Sequence, residues 1–175
     1  GRPAVASAQP RRASACAQSG YEWLLTQILT AQAQIQDGLA NYSNVLEHTR
    51  RGLQRARQDN DTSAVFLLQA AVADYNLGDY HQSLRFCREG LNLINQHPAT
   101  PYARWATYTL VALPLNALGR HDAAAEFQQE SLHVARAFNN TGQITLSHIN
   151  LAVTYGYLRR YQEATNNAQA AFETA

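Results

Sequence analysis

The sequence predicts an all-α protein, a right-handed α-solenoid built from about four antiparallel helix pairs. Three observations predict it. First, Leu77-Gly78-Asp79-Tyr80 recurs as Leu39-Ala40-Asn41-Tyr42, Leu118-Gly119-Arg120-His121 and Leu158-Arg159-Arg160-Tyr161, at steps of 38, 41 and 40 residues. A fixed period of that size marks a stacked-repeat architecture. Second, further columns keep the same register. Alanine stands six before each leucine (Ala33, Ala71, Ala112, Ala152), and a large apolar residue stands eleven after each Tyr or His (Leu53, Leu91, Leu132, Phe172). A small residue precedes the large one each time (Gly52, Gly90, Ser131, Ala171). Third, apolar residues fall at helical spacing in both halves of a repeat, as in Leu84, Cys87, Leu91, Ile94 and in Ile144, Leu151, Tyr155, Leu158. Small residues where two helices cross let the axes approach, and the large neighbour fills the space beside them.

Residues 1–20 are Ala, Pro, Ser, Arg and Gln without an apolar period, and a disordered leader is expected there. Ala13-Ser14-Ala15-Cys16 has the outline of a lipoprotein cleavage site. The apolar stretch that should precede it is missing and Arg11-Arg12 stand in its place, so a flexible leader is the better reading. The repeat domain follows over 21–175, with repeats at about 21–60, 61–99, 100–140 and 141–175.

Helix A of the first repeat is expected over 21–39 and is the most polar of its kind, with Gln27, Gln32, Gln34 and Gln36, as suits an outer repeat facing water. Helix B runs on to Arg57 and carries Arg50, Arg51, Arg55 and Arg57. A phosphate-binding patch is one reading of that run. A solvated outer face is the better one, because no aromatic residues interleave and Glu47 and Asp59 flank it. Thr62, Thr100 and Thr141, nine after the large apolar column, are expected to cap the A helices, Thr100 most clearly because Pro101 follows at the first helical position. Cys87 lies on the buried stripe and is expected to be an inert thiol. Pro114 inside an A helix predicts a kink. Arg159 stands where two other turns have glycine, so that turn must differ or carry strain. The fourth repeat lacks a covering helix at Ala175, which predicts a longer natural chain or self-association through this end.

Composition narrows the function. Charged residues make up 15% and apolar residues 46%, and the formal net charge is +1. Nothing there favours a nucleic-acid or membrane surface, and no apolar run is long enough to span a bilayer. All fourteen basic residues are arginine. The six histidines, His48, His81, His97, His121, His133 and His148, show no metal-site spacing. There is no phosphate loop, no nucleophile elbow and no paired carboxylates. Neither catalysis, nor a metal, nor a cofactor is expected.

Asn150-Leu151-Ala152 followed by Tyr161-Gln162-Glu163-Ala164 resembles the tetratricopeptide repeat, as do the alanine column and the Gly-x-Tyr turn. The usual unit is 34 residues. The longer step here is similar to the ~40-residue variety in sensory regions of bacterial MalT-like LuxR regulators and repeat-bearing diguanylate cyclases. The resemblance covers about residues 21–175. It implies a concave surface lined by A helices that receives a protein or peptide, in a cytoplasmic bacterial signalling or regulatory protein. By family position the groove residues would be Gln34, Asp37, Gln69, Tyr75, Asn76, Thr109, Asn116, Asn150 and Tyr157. Amide side chains there could pair with both backbone groups of an extended peptide. None of these positions is basic, which argues against recognition of an acidic C-terminus. For each Asn, bridging of neighbouring helices is the competing reading. The alternative for the whole domain is a solenoid that positions or dimerises an attached output domain, a cyclase or a DNA-binding unit.

Overall fold

Each turn leucine marks the end of one helix, and the Tyr or His three residues on begins the next. The computed structural model describes residues 38–55, 60–96 and 99–175. The leader, the first A helix with Gln34 and Asp37, and the Arg57 end of the arginine run lie outside them. The described residues form α1 (Tyr42–Arg55), α2 (Asn60–Asn76), α3 (Tyr80–Gln96), α4 (Pro101–Ala117), α5 (His121–Ala137), α6 (Thr141–Tyr157) and α7 (Tyr161–Thr174), with no strand among them. Helices α2 to α6 are all 17 residues long. Two such helices and two three-residue turns make the 40-residue step between Leu118 and Leu158.

The turns explain the repeating motif. Gly78, Gly119 and Arg159 take left-handed backbone angles, with φ of +83°, +73° and +58°. In each case the next residue's N–H reaches back to the helix: Asp79 to the Asp74 carbonyl at 2.9 Å, Arg120 to Leu115 at 2.8 Å, and Arg160 to Tyr155 at 2.9 Å. This arrangement satisfies carbonyls that the helix end leaves open. Arg159 therefore keeps the turn of its glycine counterparts, and the cost is strain at a residue with a Cβ. Asn139, with φ of +51°, makes the same turn after α5.

Two helix starts differ from expectation. Thr100 caps α4, its side chain accepting from the Ala103 N–H at 3.2 Å. For α6 the cap is Asn140, which accepts from Gln143 N–H at 3.0 Å, and Thr141 is already helical. Helix α2 starts at Asn60, two residues before Thr62. An Asn one position earlier offers the same acceptor, so the threonine column alone does not fix the cap. Pro114 sits buried within α4, which continues through it to Ala117.

Packing follows the columns. Ala71, Leu84, Cys87, Val111, Ala112, Leu115 and Ala124 form one core cluster, and Ala125, Leu132, Leu151 and Tyr155 the next. The Ser83 hydroxyl donates to the Ala71 carbonyl at 2.7 Å, so a small polar residue at the crossing costs no unmet hydrogen bond. Burial pushes the Cys87 thiol up to about 12, which keeps it protonated and unreactive. Consecutive helices pack together, and among the A helices (α2, α4, α6) α2 also touches α4 and α4 touches α6. Among the described residues no B helix (α1, α3, α5, α7) touches another B helix. The A helices are therefore the more closely spaced layer and form the inner side of the stack.

Candidate binding surface

The inner side has an apolar recess between α2 and α4. Val65, Leu68, Gln69 and Val72 of α2 face Tyr102, Ala106 and Leu110 of α4, with Val45 of the B helix α1 completing the lining, around a volume of about 200 Å³. A cavity of about 150 Å³ holds a benzene ring, so the recess is large enough for one aromatic or long aliphatic side chain. Tyr102 is exposed at its edge, with its ring 5.8 Å from that of Trp105.

Of the nine groove candidates, seven are described. Gln69 lies in the recess, and its Oε1 is buried without a hydrogen-bond partner among the described residues. Such an oxygen is an acceptor waiting for a donor. Tyr75 is half-buried against Tyr80, with ring centres 5.4 Å apart, and Asn76 is exposed at the end of α2. Thr109 points inward: it is 7% exposed and its hydroxyl lies 2.7 Å from that of Ser131. Ser131 continues to Ser147 at 3.2 Å, and Ser147 accepts from the Trp105 indole N–H at 3.1 Å. That chain ties α4, α5 and α6 together.

Asn116 also bridges helices. Its Nδ2 donates to the Thr154 hydroxyl at 2.7 Å, and its Oδ1 accepts from His121 Nδ1 at 3.0 Å. With that hydrogen on Nδ1, the His121 ring stacks on Tyr157, centres 4.9 Å apart and planes at 17°. Asn116, His121 and Tyr157 thus form one unit at the turn end of the inner face. Asn150 is half-buried, while Ile149, Val153 and Tyr157 beside it on α6 are exposed.

The apolar residues of the recess are not among the groove residues named from family position. Val65, Leu68 and Val72 recur at steps of three and four, a second stripe on α2 beside the one that builds the core. A helix that is apolar on most sides does not show by periodicity which stripe is open. No group of three or more His, Cys, Asp or Glu side chains that could hold a metal ion occurs among the described residues, and no helix there is long and apolar enough to cross a membrane.

The fold is shared with solved structures. BtubC (BKLC) from P. vanneervenii superposes with a TM-score of 0.76 at 15% identity, covering 87% of this chain and 64% of that one. The apo form of RapI superposes at 0.74 and 16% identity, over 85% of this chain and 55% of that one. MamA superposes at 0.51 and 12% identity, over 86% and 91%. The fold is a tetratricopeptide-type α-solenoid. The chain spans less than two thirds of the BtubC and RapI structures. No protein-family model matches the sequence, and no curated protein is similar to it in sequence.

Proposed function

We propose that the chain is a protein- or peptide-binding module that receives its ligand on the inner A-helix surface, with one large apolar side chain of the ligand seated in the α2–α4 recess. The recess carries this reading: apolar walls and an unpaired Gln69 oxygen are the usual make-up of a site that anchors a side chain and orients its backbone. Neither a cofactor nor a metal enters this reading, and it is one of binding without catalysis. Arg50 and Arg51 are exposed on α1, a helix of the outer layer, which fits a solvated face better than a nucleic-acid groove. The resemblance of the repeat motif and its length to the ~40-residue variety supports reading such a module as part of a bacterial signalling or regulatory protein in the cytoplasm.

Replacing Leu110 by Glu tests the site, since it sets a charge in the recess at a half-buried position. Selected peptide ligands should lose at least about tenfold in affinity, as expected when an anchor pocket is spoiled, under conditions where the helical signal shows the variant folded. Unchanged affinity in a folded variant would remove the recess from the site.

The exposed end of the stack favours a second reading, self-association or attachment of an output domain. Leu146, Ile149 and Val153 of α6 are exposed, and Phe172 of α7 is 81% exposed, although its column is half-buried or buried at Leu53, Leu91 and Leu132. Concentration-dependent mass that disappears on Phe172→Ser would support it.

A further inference from the structure

A second site lies on the outer side of the stack and does not depend on the inner surface. Three residues before the turn leucine, α4 and α6 place Leu115 and Tyr155, both in the core. In α2 the same column holds Asp74, which is only 5% exposed. Its Oδ2 is buried without a hydrogen-bond partner among the described residues. Burial, with the nearby Asp79 carboxylate adding to it, raises the pKa of its carboxyl above the ordinary value of 3.8. A buried carboxylate without a partner is costly, and a core column gives no packing reason for it.

Asp74 forms part of the floor of a recess of about 360 Å³ over α2, between α1 and α3. Leu46 and Leu53 of α1 and Phe86 of α3 are its apolar walls, and Arg50 and Gln82 are at its edge. Arg50 is exposed and makes no hydrogen bond or ion pair with Asp74 among the described residues, so the chain's own guanidinium does not neutralise the acid. No Cα of α1 lies within 8 Å of a Cα of α3, and side chains of both helices line the recess.

We propose that this cleft receives the side chain of an arginine or lysine from a partner polypeptide. The cationic head would meet Asp74, and the apolar stem would lie along Leu46, Leu53 and the Phe86 ring. A backbone docked along the cleft adds contacts that a bare amine lacks, so an arginine side chain flanked by amide groups should bind better than the free amine. Arg50 at the edge repels a bare cation, so its removal should strengthen binding.

Amide NMR of the isotope-labelled full chain tests this with N-acetyl-argininamide as probe and its neutral isostere N-acetyl-citrullinamide as control. Saturable shifts at Leu46–Leu53 and Gln82–Phe86 are expected with the arginine probe. They should weaken at least about tenfold with the citrulline probe and in Asp74→Asn, as expected when one partner of a buried charge pair is removed, and strengthen in Arg50→Gln. Should Asp74→Asn fail to fold, Asp74→Leu, which restores the residue type of the Leu115 column, replaces it. Absence of saturable shifts, equal response to the citrulline probe, or retained binding in a folded Asp74 variant would overturn the proposal. Tighter binding of free agmatine than of N-acetyl-argininamide would overturn the polypeptide assignment.

Discussion

Gly52 and Gly90 occupy the same column of the repeat, and the structure gives them opposite responses to the same substitution. Both lie inside B helices, where alanine is favoured over glycine by roughly 1 kcal/mol. At Gly90 an added Cβ would stand 3.7 Å from Thr107 Cγ2, an ordinary contact. At Gly52 it would overlap the ring of Phe66, which is 0% exposed. Overpacking of that kind costs about 1–3 kcal/mol. Gly90→Ala should therefore stabilise by up to about 1 kcal/mol, and Gly52→Ala should destabilise by about 1–2 kcal/mol after the helix gain is subtracted. Urea unfolding followed by circular dichroism measures both, with the slope checked for constancy. In a Phe66→Leu background the Gly52→Ala cost should shrink by about 1 kcal/mol, because the two sites touch. Equal stabilisation by both substitutions, or no coupling with Phe66, would refute the packing of α1 on α2 given above.

Three further outcomes follow from the structure. Arg159→Gly should stabilise by about 1 kcal/mol, since the turn needs a left-handed residue and a Cβ is strained there; a loss measured by thermal or urea unfolding would mean that the arginine has a compensating contact. Asn140→Ala should cost about 1 kcal/mol and Thr141→Ala only a few tenths, the reverse of what the threonine column suggests. The folded state holds the Asp74 proton more tightly than the unfolded chain, whose carboxyl titrates near 3.8. Stability should therefore fall as pH rises from there through the raised folded value. Asp74→Asn should remove that part of the slope and be the more stable protein at pH 7; a less stable variant at pH 7 would contradict the unpaired state of Asp74.

The fold was legible because three kinds of constraint share one register. The left-handed turn residue, the small crossing residue and the large neighbour each serve a different physical need, and all three repeat at steps of 38 to 41 residues. Helix starts were less legible, since Asn140 and Thr141 are both good caps and only geometry selects between them. The proposed binding surface takes its place in the fold from the family resemblance. Of the positions named from that resemblance, Thr109 and Asn116 have side chains engaged in bridges to neighbouring helices. The apolar residues Val65, Val72 and Leu110 open onto the recess instead. Asp74 was visible in principle: the column Gln36, Asp74, Leu115, Tyr155 changes from polar to apolar along the chain. Without the structure, a polar residue there reads as an exposed one.

The most direct test of the inner surface is a hydrogen-exchange footprint. Peptides selected from a random displayed library against the full chain would be bound at saturation, and amide exchange compared with the free protein. Added protection should concentrate on the inner faces of α2 and α4, around Val65–Val72 and Tyr102–Leu110. Protection confined to the B helices, or to the open end at α6 and α7, would contradict binding on the A-helix layer.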